Sequence, residues 1–460
     1  MTLIKSISGI RGTIGGRLNE GLTPIDTANF AAAYGTWLKN NSVGSVKVVI
    51  GRDARISGEM ISNIVCATLV GIGIDVIDLG LSTTPTVEIA VPLEKANGGI
   101  ILTASHNPKH WNALKMLNDK GEFISELDGL EVLRIAEHNE YNFASVDELG
   151  KIRFDDSYLE KHIEHILSLE LVNQKAIAHA NFSIVVDAVN SSGGIFVPAL
   201  LKALGVKNII KLYCEPTGEF PHNPEPLPEH LTELSSQIIK SNADLGITVD
   251  PDVDRLAIVC EDGSMFGEEY TLVAVSDYVL SKTPGATVSN LSSTRALRDI
   301  TEKNGQVYHA SAVGEVNVVK KMKQVNAVIG GEGNGGVIYP KSHYGRDSLV
   351  GIALFLSHLA ELNLKVTELK KTYPRYTISK NKIELNPSIN VDQVLNSIAQ
   401  KYDSNEVDLT DGVKIYFERE WVHLRKSNTE PIIRIYSESE NEEQANKLAN
   451  EIIEEIKSCF

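Results

Sequence analysis

Short apolar runs alternate with longer, helix-periodic stretches up to about residue 370. An apolar run bounded by turn residues predicts a buried strand. Strands alternating with helical segments predict α/β domains with largely buried sheets. The run 98–102 shows the pattern most sharply. It ends in Thr103-Ala104-Ser105-His106-Asn107-Pro108. Pro108 forbids the strand from continuing and biases Asn107 toward an extended conformation. Ser105 and His106 are thereby placed on the rim of a sheet, as a nucleophile with a neighbouring base or as ordinary turn residues bonded to their own backbone.

The plan repeats three times. First strands are predicted at 46–50, 184–186 and 286–291, followed by "GRDARISG", "DAVNSSGG" and "SSTRALRD". Second strands follow in "GIGIDVIDLG", "LGVKNIIKLY" and "KNGQVYHASA". Third strands open into "TASHNP", "DPDVDR" and "GEGNGG". Ligands of α/β sheets bind at loops beyond strand ends, so these loops are the places to look for chemistry. Beyond about residue 370 the texture changes to short strands ("GVKIYFE", "WVHLRKS", "PIIRIYSES") and an amphipathic helix at 442–457. The predicted fold is three similar α/β domains with mixed sheets (1–150, 151–256, 257–370) and a smaller C-terminal α+β domain (371–460) around one central cleft.

Composition narrows the function classes. The 460 residues carry a net charge of −16 without a basic run, which argues against nucleic acid and against an anionic membrane surface. No apolar stretch is long enough to span a bilayer, and the N-terminus does not read as a signal peptide. The four cysteines form no C-x-x-C pair, which fits a reducing cytoplasm. A local cluster of cations in a cleft can still override the acidic balance for a small anion.

"DPDVDR" sets Asp250, Asp252 and Asp254 at alternate positions, which share one side in extended backbone. Three carboxylates repel unless a cation joins them, and oxygen-only ligands suit Mg²⁺ or Mn²⁺. An EF-hand is disfavoured, because Arg255 stands where that loop needs glycine. "LRKSNTEPIIRIYSE" offers Arg425, Ser427, Asn428, Thr429 and Arg434 as a phosphate cradle or as a polar turn. "GEGNGG" brings backbone close to a ligand and supplies Glu332 and Asn334 as acceptors for sugar hydroxyls, yet it is no nucleotide-binding fingerprint. Lys115 lies within reach of the Ser105 rim, and Arg11 sits between glycines in a loop or turn. Together these groups suit phosphoryl transfer on a polyol, which needs positioning and charge neutralisation above all.

The motifs "TASHNP", "DPDVDR", "GEGNGG" and "RKSNTEPIIRIYSE", in this order over nearly the whole chain, resemble the α-D-phosphohexomutases. The resemblance implies a phosphoserine at Ser105, and Mg²⁺ held by Asp250, Asp252, Asp254 and a phosphoserine oxygen. It implies that Arg11 and Arg255 support the transferring group, that Lys115 is the acid/base, and that His106 lies near the reacting oxygens. Glu332 would bind sugar hydroxyls. Arg425, Ser427, Asn428 and Thr429 would hold the idle phosphate, with Arg434 supporting that loop. A sugar bisphosphate would serve as intermediate and activator, and the chain would be a monomer or homodimer acting on small sugar phosphates. Family members commonly carry Ser where Asn334 stands here. "SISGIRGTIGG" and "GEGNGGV" resemble the phosphoglucosamine mutases of the family, whereas "DPDVDR" is shared with its phosphomannomutases and phosphoglucomutases. A metal-dependent phosphatase and a silent sugar-phosphate sensor are the rival classes. The separate phosphate cradle argues against the first, and the intact Ser105 and aspartates against the second.

Overall fold

The computed structural model describes residues 1–6, 9–384, 390–426 and 432–458. They fall into two compact units: Met1–Thr271 with Gly335–Thr367, and Leu272–Asn334 with Glu368–Phe460.

The first sheet runs Leu3–Ser6, Gly9–Thr13, Trp111–Leu117, Gly98–Leu102, Lys47–Arg52, Asp75–Leu81, Ile152–Phe154. Its centre is parallel, and Gly9–Thr13 and Trp111–Leu117 join antiparallel at one side. Alternation along Lys47–Arg52 supplies two cores. Val48 and Ile50 pack with the helices Pro24–Asn40 and Gly58–Ile72, while Val49 packs with Val87 and Val91 on the opposite face. Each buried Val or Ile contributes about 1.5–3 kcal/mol. The helix Pro24–Asn40 begins where sequence logic puts it. Thr23 caps it, Asp26 completes a capping box, and Pro24 occupies the first turn.

The predicted repeat is present. Lys47–Arg52, Ser183–Asp187 and Thr287–Asn290 each lie between the two later strands of their own sheet. In the second sheet, Leu245–Val249 and Asn208–Leu212 flank Ser183–Asp187 in parallel, and Leu256–Cys260 adds antiparallel. In the second unit, Tyr308–Ser311 and Ile329–Glu332 flank Thr287–Asn290, again parallel. The C-terminal sheet is antiparallel throughout, in the order Thr377–Glu384, Ile432–Ser439, Trp421–Lys426, Val413–Tyr416, Glu406–Asp408. The helices Val391–Lys401 and Glu442–Lys457 cover one of its faces. Among the described residues no helix is long and apolar enough to cross a membrane.

One turn departs from its predicted form. Gly9–Thr13 is a strand, so Arg11 extends from a sheet rather than from a loop. Its glycine-rich composition hid the strand: Gly12 is required because a Cβ there would lie 2.9 Å from the Leu22 nitrogen.

A buried polar cluster pins residues 335–367 to the rest of the first unit. Asp347 caps the helix Ser348–Leu362, accepting from the Leu349 and Val350 amides through Oδ1. Its Oδ2 lies 3.0 Å from His162 Nε2 and 3.1 Å from His343 Nε2. His343 Nδ1 lies 3.3 Å from Glu88. Burial works against charge on His343, but Asp347 and Glu88 outweigh it and push its pKa up to about 10. A histidine raised above its ordinary value of about 6.5 stabilises the fold fully below that value and loses the contribution as pH rises through its folded pKa. His343→Gln should therefore lower the melting temperature most on the acid side of about pH 6.5, with the gap closing toward pH 10. Calorimetry showing an equal gap at both ends of that range would contradict this assignment.

Candidate active site

The loop after Gly98–Leu102 and the loop after Leu245–Val249 meet within the first unit. Ser105 Oγ donates to Asp250 Oδ2 at 2.7 Å. Ser105 is 8 % exposed and holds φ +48°, a left-handed conformation that costs a non-glycine residue about 1–3 kcal/mol. Adjacency in sequence suggests His106 as its partner, but His106 Nδ1 is 3.5 Å from Ser105 Oγ, at the limit of a hydrogen bond. Burial, followed by the nearby Arg255 guanidinium, pushes His106 down to about 2, so the imidazole is neutral near pH 7. A cleft of about 100 Å³ opens over Ser105, bordered by Gly9, Arg11, Thr103, Ala113 and Lys115. Arg11 Nη1 donates to Asn107 Oδ1 at 3.3 Å on the same rim.

Asp250, Asp252 and Asp254 are fully buried, with one oxygen of each lying within 4.8 Å of the others. They converge by a turn rather than by extended alternation. Val253 is left-handed at φ +64°, and Asp250 Oδ1 accepts from the Asp254 and Arg255 amides, each at 3.1 Å. One oxygen of each of the other two is engaged. Asp252 Oδ2 accepts from Thr84 Oγ1 at 2.6 Å and Lys115 Nζ at 2.7 Å. Asp254 Oδ2 accepts from Arg346 Nη2 at 2.7 Å. The remaining oxygens, Asp252 Oδ1 and Asp254 Oδ1, are buried without a hydrogen-bond partner among the described residues. Orphaned buried carboxylate oxygens are costly, and hard oxygen donors fit Mg²⁺ or Mn²⁺. The donor set therefore fits a divalent cation.

The electrostatics agree. Burial and the neighbouring Asp252 and Asp254 push Asp250 well above the usual carboxylate range. Lys115 keeps Asp252 below that range against the burial penalty. Burial opposes the Lys115 charge, but Asp252 and Asp254 outweigh it and hold the ammonium protonated. Arg255 Nη1 lies 3.5 Å from Glu225, while its Nε is buried with no partner among the described residues, a spare donor for an anion.

The other predicted groups belong to the second unit. Glu332 is buried at the end of Ile329–Glu332, where Oε1 accepts from Asn290 Nδ2 at 2.8 Å and from the Gly314 amide at 3.0 Å. Asn334 follows in the adjoining turn and is half-buried. In the C-terminal sheet Arg425 stands directly opposite Arg434, and Arg434 directly opposite Lys382. Directly opposed residues share a sheet face, so three cations form a row across three strands. Like charges so placed repel unless an anion joins them. Arg425 Nε is 2.9 Å from Asp411. Ser427, Asn428 and Thr429 lie outside the described residues.

Four stretches match the phosphoglucomutase/phosphomannomutase domains in order: alpha/beta/alpha domain I over 3–142, domain II over 160–263, domain III over 267–376, and the C-terminal domain over 361–455. The chain belongs to the phosphohexomutase family. It is 35 % identical to a phosphoglucomutase/phosphomannomutase of Thermococcus kodakarensis, over 94 % of this chain and 95 % of the relative. It is 31 % identical to a phosphoglucosamine/phosphogalactosamine mutase of Sulfurisphaera tokodaii, over 96 % and 97 %. The crystal structure of a phosphoglucomutase/phosphomannomutase family protein from Burkholderia thailandensis superposes with a TM-score of 0.85 at 25 % identity, over 98 % of this chain and 96 % of that one. This phosphohexomutase is accordingly an isomerase.

Some site neighbours of the phosphohexomutase have no signal in its sequence. Thr84 and Arg346 reach Asp252 and Asp254 across 168 and 92 residues of chain, and neither lies in a motif that marks metal or phosphate chemistry. The one hint at Arg346 is the preceding Gly345, where a Cβ would lie 1.8 Å from a Glu88 carboxylate oxygen. Lys382 sits in an exposed, alternating strand where a lysine is ordinary.

Proposed function

We propose that this phosphohexomutase interconverts glucosamine 6-phosphate and glucosamine 1-phosphate through a phosphoserine at Ser105 and a sugar bisphosphate. The observation that carries the phosphoryl-transfer reading is Ser105 Oγ seated 2.7 Å from Asp250, beside the two orphaned oxygens of Asp252 and Asp254. A divalent cation held by the three aspartates would neutralise charge on the phosphoserine.

The chain's own residues do the rest. The phosphoryl group leaves Ser105 Oγ for a sugar hydroxyl: the P–O bond to serine breaks and the P–O bond to sugar forms. Lys115, held protonated, gives a proton to Ser105 Oγ and recovers one from the sugar hydroxyl, so protons balance. Arg255 Nε and Arg11 draw the phosphoryl charge forward. Neutral His106 can donate or accept a hydrogen bond beside the reacting oxygens but is not a cationic acid near pH 7. The bisphosphate then turns end for end and returns its other phosphate to Ser105. Glu332 reads sugar hydroxyls, with Asn334 beside it. Arg425, Ser427, Asn428 and Thr429 hold the idle phosphate, with Arg434 supporting that loop.

Arg425→Ala removes one cation of the row, and charge-assisted contacts to phosphate are the strong ones. KM for both sugar monophosphates is expected to rise about tenfold or more, with kcat falling too if the contact tightens in the transition state. Unaltered kinetics would make the row a structural feature only.

The choice of glucosamine rests on the N-terminal and "GEGNGG" resemblance, together with relatives at 31–33 % identity named "Probable phosphoglucosamine mutase" or "Phosphoglucosamine/phosphogalactosamine mutase". A carboxylate at Glu332 gains more from the C2 ammonium than from a neutral hydroxyl. The relative named phosphoglucomutase/phosphomannomutase favours glucose or mannose phosphates as a second reading. Measuring kcat/KM for glucosamine, mannose and glucose 1-phosphates, each with its bisphosphate, decides between them. A mannose value about tenfold above the glucosamine value, ~1.4 kcal/mol of transition-state preference, would move the assignment to phosphomannomutase.

A further inference from the structure

Asp53 and Arg55 of the "GRDARISG" turn take no part in the chemistry above, yet they are built around Ser105. Arg55 is 1 % exposed. Its Nη2 donates to the carbonyls of Ser105 at 2.5 Å and Asn107 at 2.6 Å. Its Nη1 donates to the carbonyls of Pro108 at 2.7 Å and Trp111 at 3.0 Å. Its Nε donates to Asp53 Oδ2 at 3.0 Å. The Phe220 ring lies 5.1 Å from the guanidinium carbon. The same Asp53 oxygen accepts from Thr103 Oγ1 at 2.7 Å, and Thr103 Oγ1 accepts from the Ser105 amide at 2.9 Å.

Ser105 is thus gripped from both sides of its backbone. Its N–H is tied through Thr103 to Asp53, its C=O is tied to Arg55, and Asp53 and Arg55 are tied to each other. The grip falls on a residue held at φ +48°, in a loop where Pro108 lacks an N–H. All four carbonyls that Arg55 holds belong to residues 105–111. Fold adhesive alone gives no reason for that concentration; a loop whose first residue must aim an oxygen does. A misplacement of about 1 Å at a reacting atom costs about a hundredfold in rate.

We propose that Arg55, with Asp53 and Thr103, is a positioning residue that fixes the Ser105 backbone so that Oγ meets the phosphoryl acceptor in line. This rests on the reading of Ser105 as the phosphoryl carrier.

The test uses the full chain with Arg55→Lys and Thr103→Val. A lysine cannot span four carbonyls and Asp53; valine keeps the volume of threonine and cuts the Asp53–Ser105 link. Kinetics are measured well below each variant's melting temperature, with sugar 1-phosphate and bisphosphate activator. In parallel, intact mass follows phosphate on Ser105. The expected result is a kcat lowered about ten- to a hundredfold with KM within about threefold of wild type. Folded variants with kcat within about twofold of wild type, or with KM raised and kcat unchanged, would overturn the proposal, since a purely structural role lowers melting temperature alone. If Arg55→Lys does not fold, Thr103→Val decides. Wild-type protein that takes no phosphate on Ser105 would overturn the carrier reading and this proposal with it. Labelled wild type alongside variants of normal turnover would overturn the positioning role only.

Discussion

Ser105→Ala is expected to abolish mutase turnover, a loss of at least about a thousandfold in kcat, because no other group in the site would carry the phosphoryl between sugars. The fold should survive. Ser105 makes its side-chain bond to Asp250, which stays anchored through Oδ1 by the Asp254 and Arg255 amides. Its backbone bonds, to Thr103 and Arg55, do not depend on the hydroxyl. Circular dichroism of the variant should match wild type, and its intact mass should stay unchanged on incubation with sugar bisphosphate. A Ser105→Ala enzyme with near-normal turnover would place the carrier elsewhere.

Asp252→Asn is the second large effect expected. Asp252 turns its orphaned Oδ1 toward the proposed cation site, and it holds Lys115 with Oδ2. The amide would remove one of three charges from the proposed cation site and loosen Lys115, the proposed proton donor, in the same step. A fall in kcat of about a hundredfold or more follows from losing one preorganised electrostatic contact of this kind. Chelation should silence the wild-type enzyme, and added Mg²⁺ or Mn²⁺ should restore it. Calorimetric titration should show weaker Mn²⁺ binding by the variant. A rate indifferent to EDTA would remove the cation from the account.

Local patterns made much of this legible in the chain. The apolar run Gly98–Leu102 and Pro108 in the loop that follows define a strand end without any tertiary information. The helix Glu442–Lys457 has the bounds its apolar periodicity sets. The three-strand repeat is visible because each copy repeats the same order of strand, helix and glycine-marked strand. What stayed hidden is contact between distant segments. Asp250 looks like one of three equivalent carboxylates in sequence, yet the turn at Val253 makes it the one that bonds Ser105 and anchors its own loop. Arg346 and Thr84 complete the carboxylate cluster from segments whose local sequence is unremarkable. His106 sits beside Ser105 in sequence, but the hydrogen bond goes to Asp250, 145 residues away. Adjacency along a turn does not fix which side chain a hydroxyl meets; the packing of two loops does.

Ser105 is proposed to exchange a phosphoryl group with sugar monophosphates at both ends of the sugar. The most direct measurement is a single-turnover experiment. Protein freed of phosphate is mixed with glucosamine 1,6-bisphosphate, the protein mass is followed, and the released sugar is resolved by phosphorus NMR. One phosphate should be gained on Ser105, in step with the release of both glucosamine 1-phosphate and glucosamine 6-phosphate. Release of inorganic phosphate with no phosphate on Ser105, or a label at a residue other than Ser105, would contradict it.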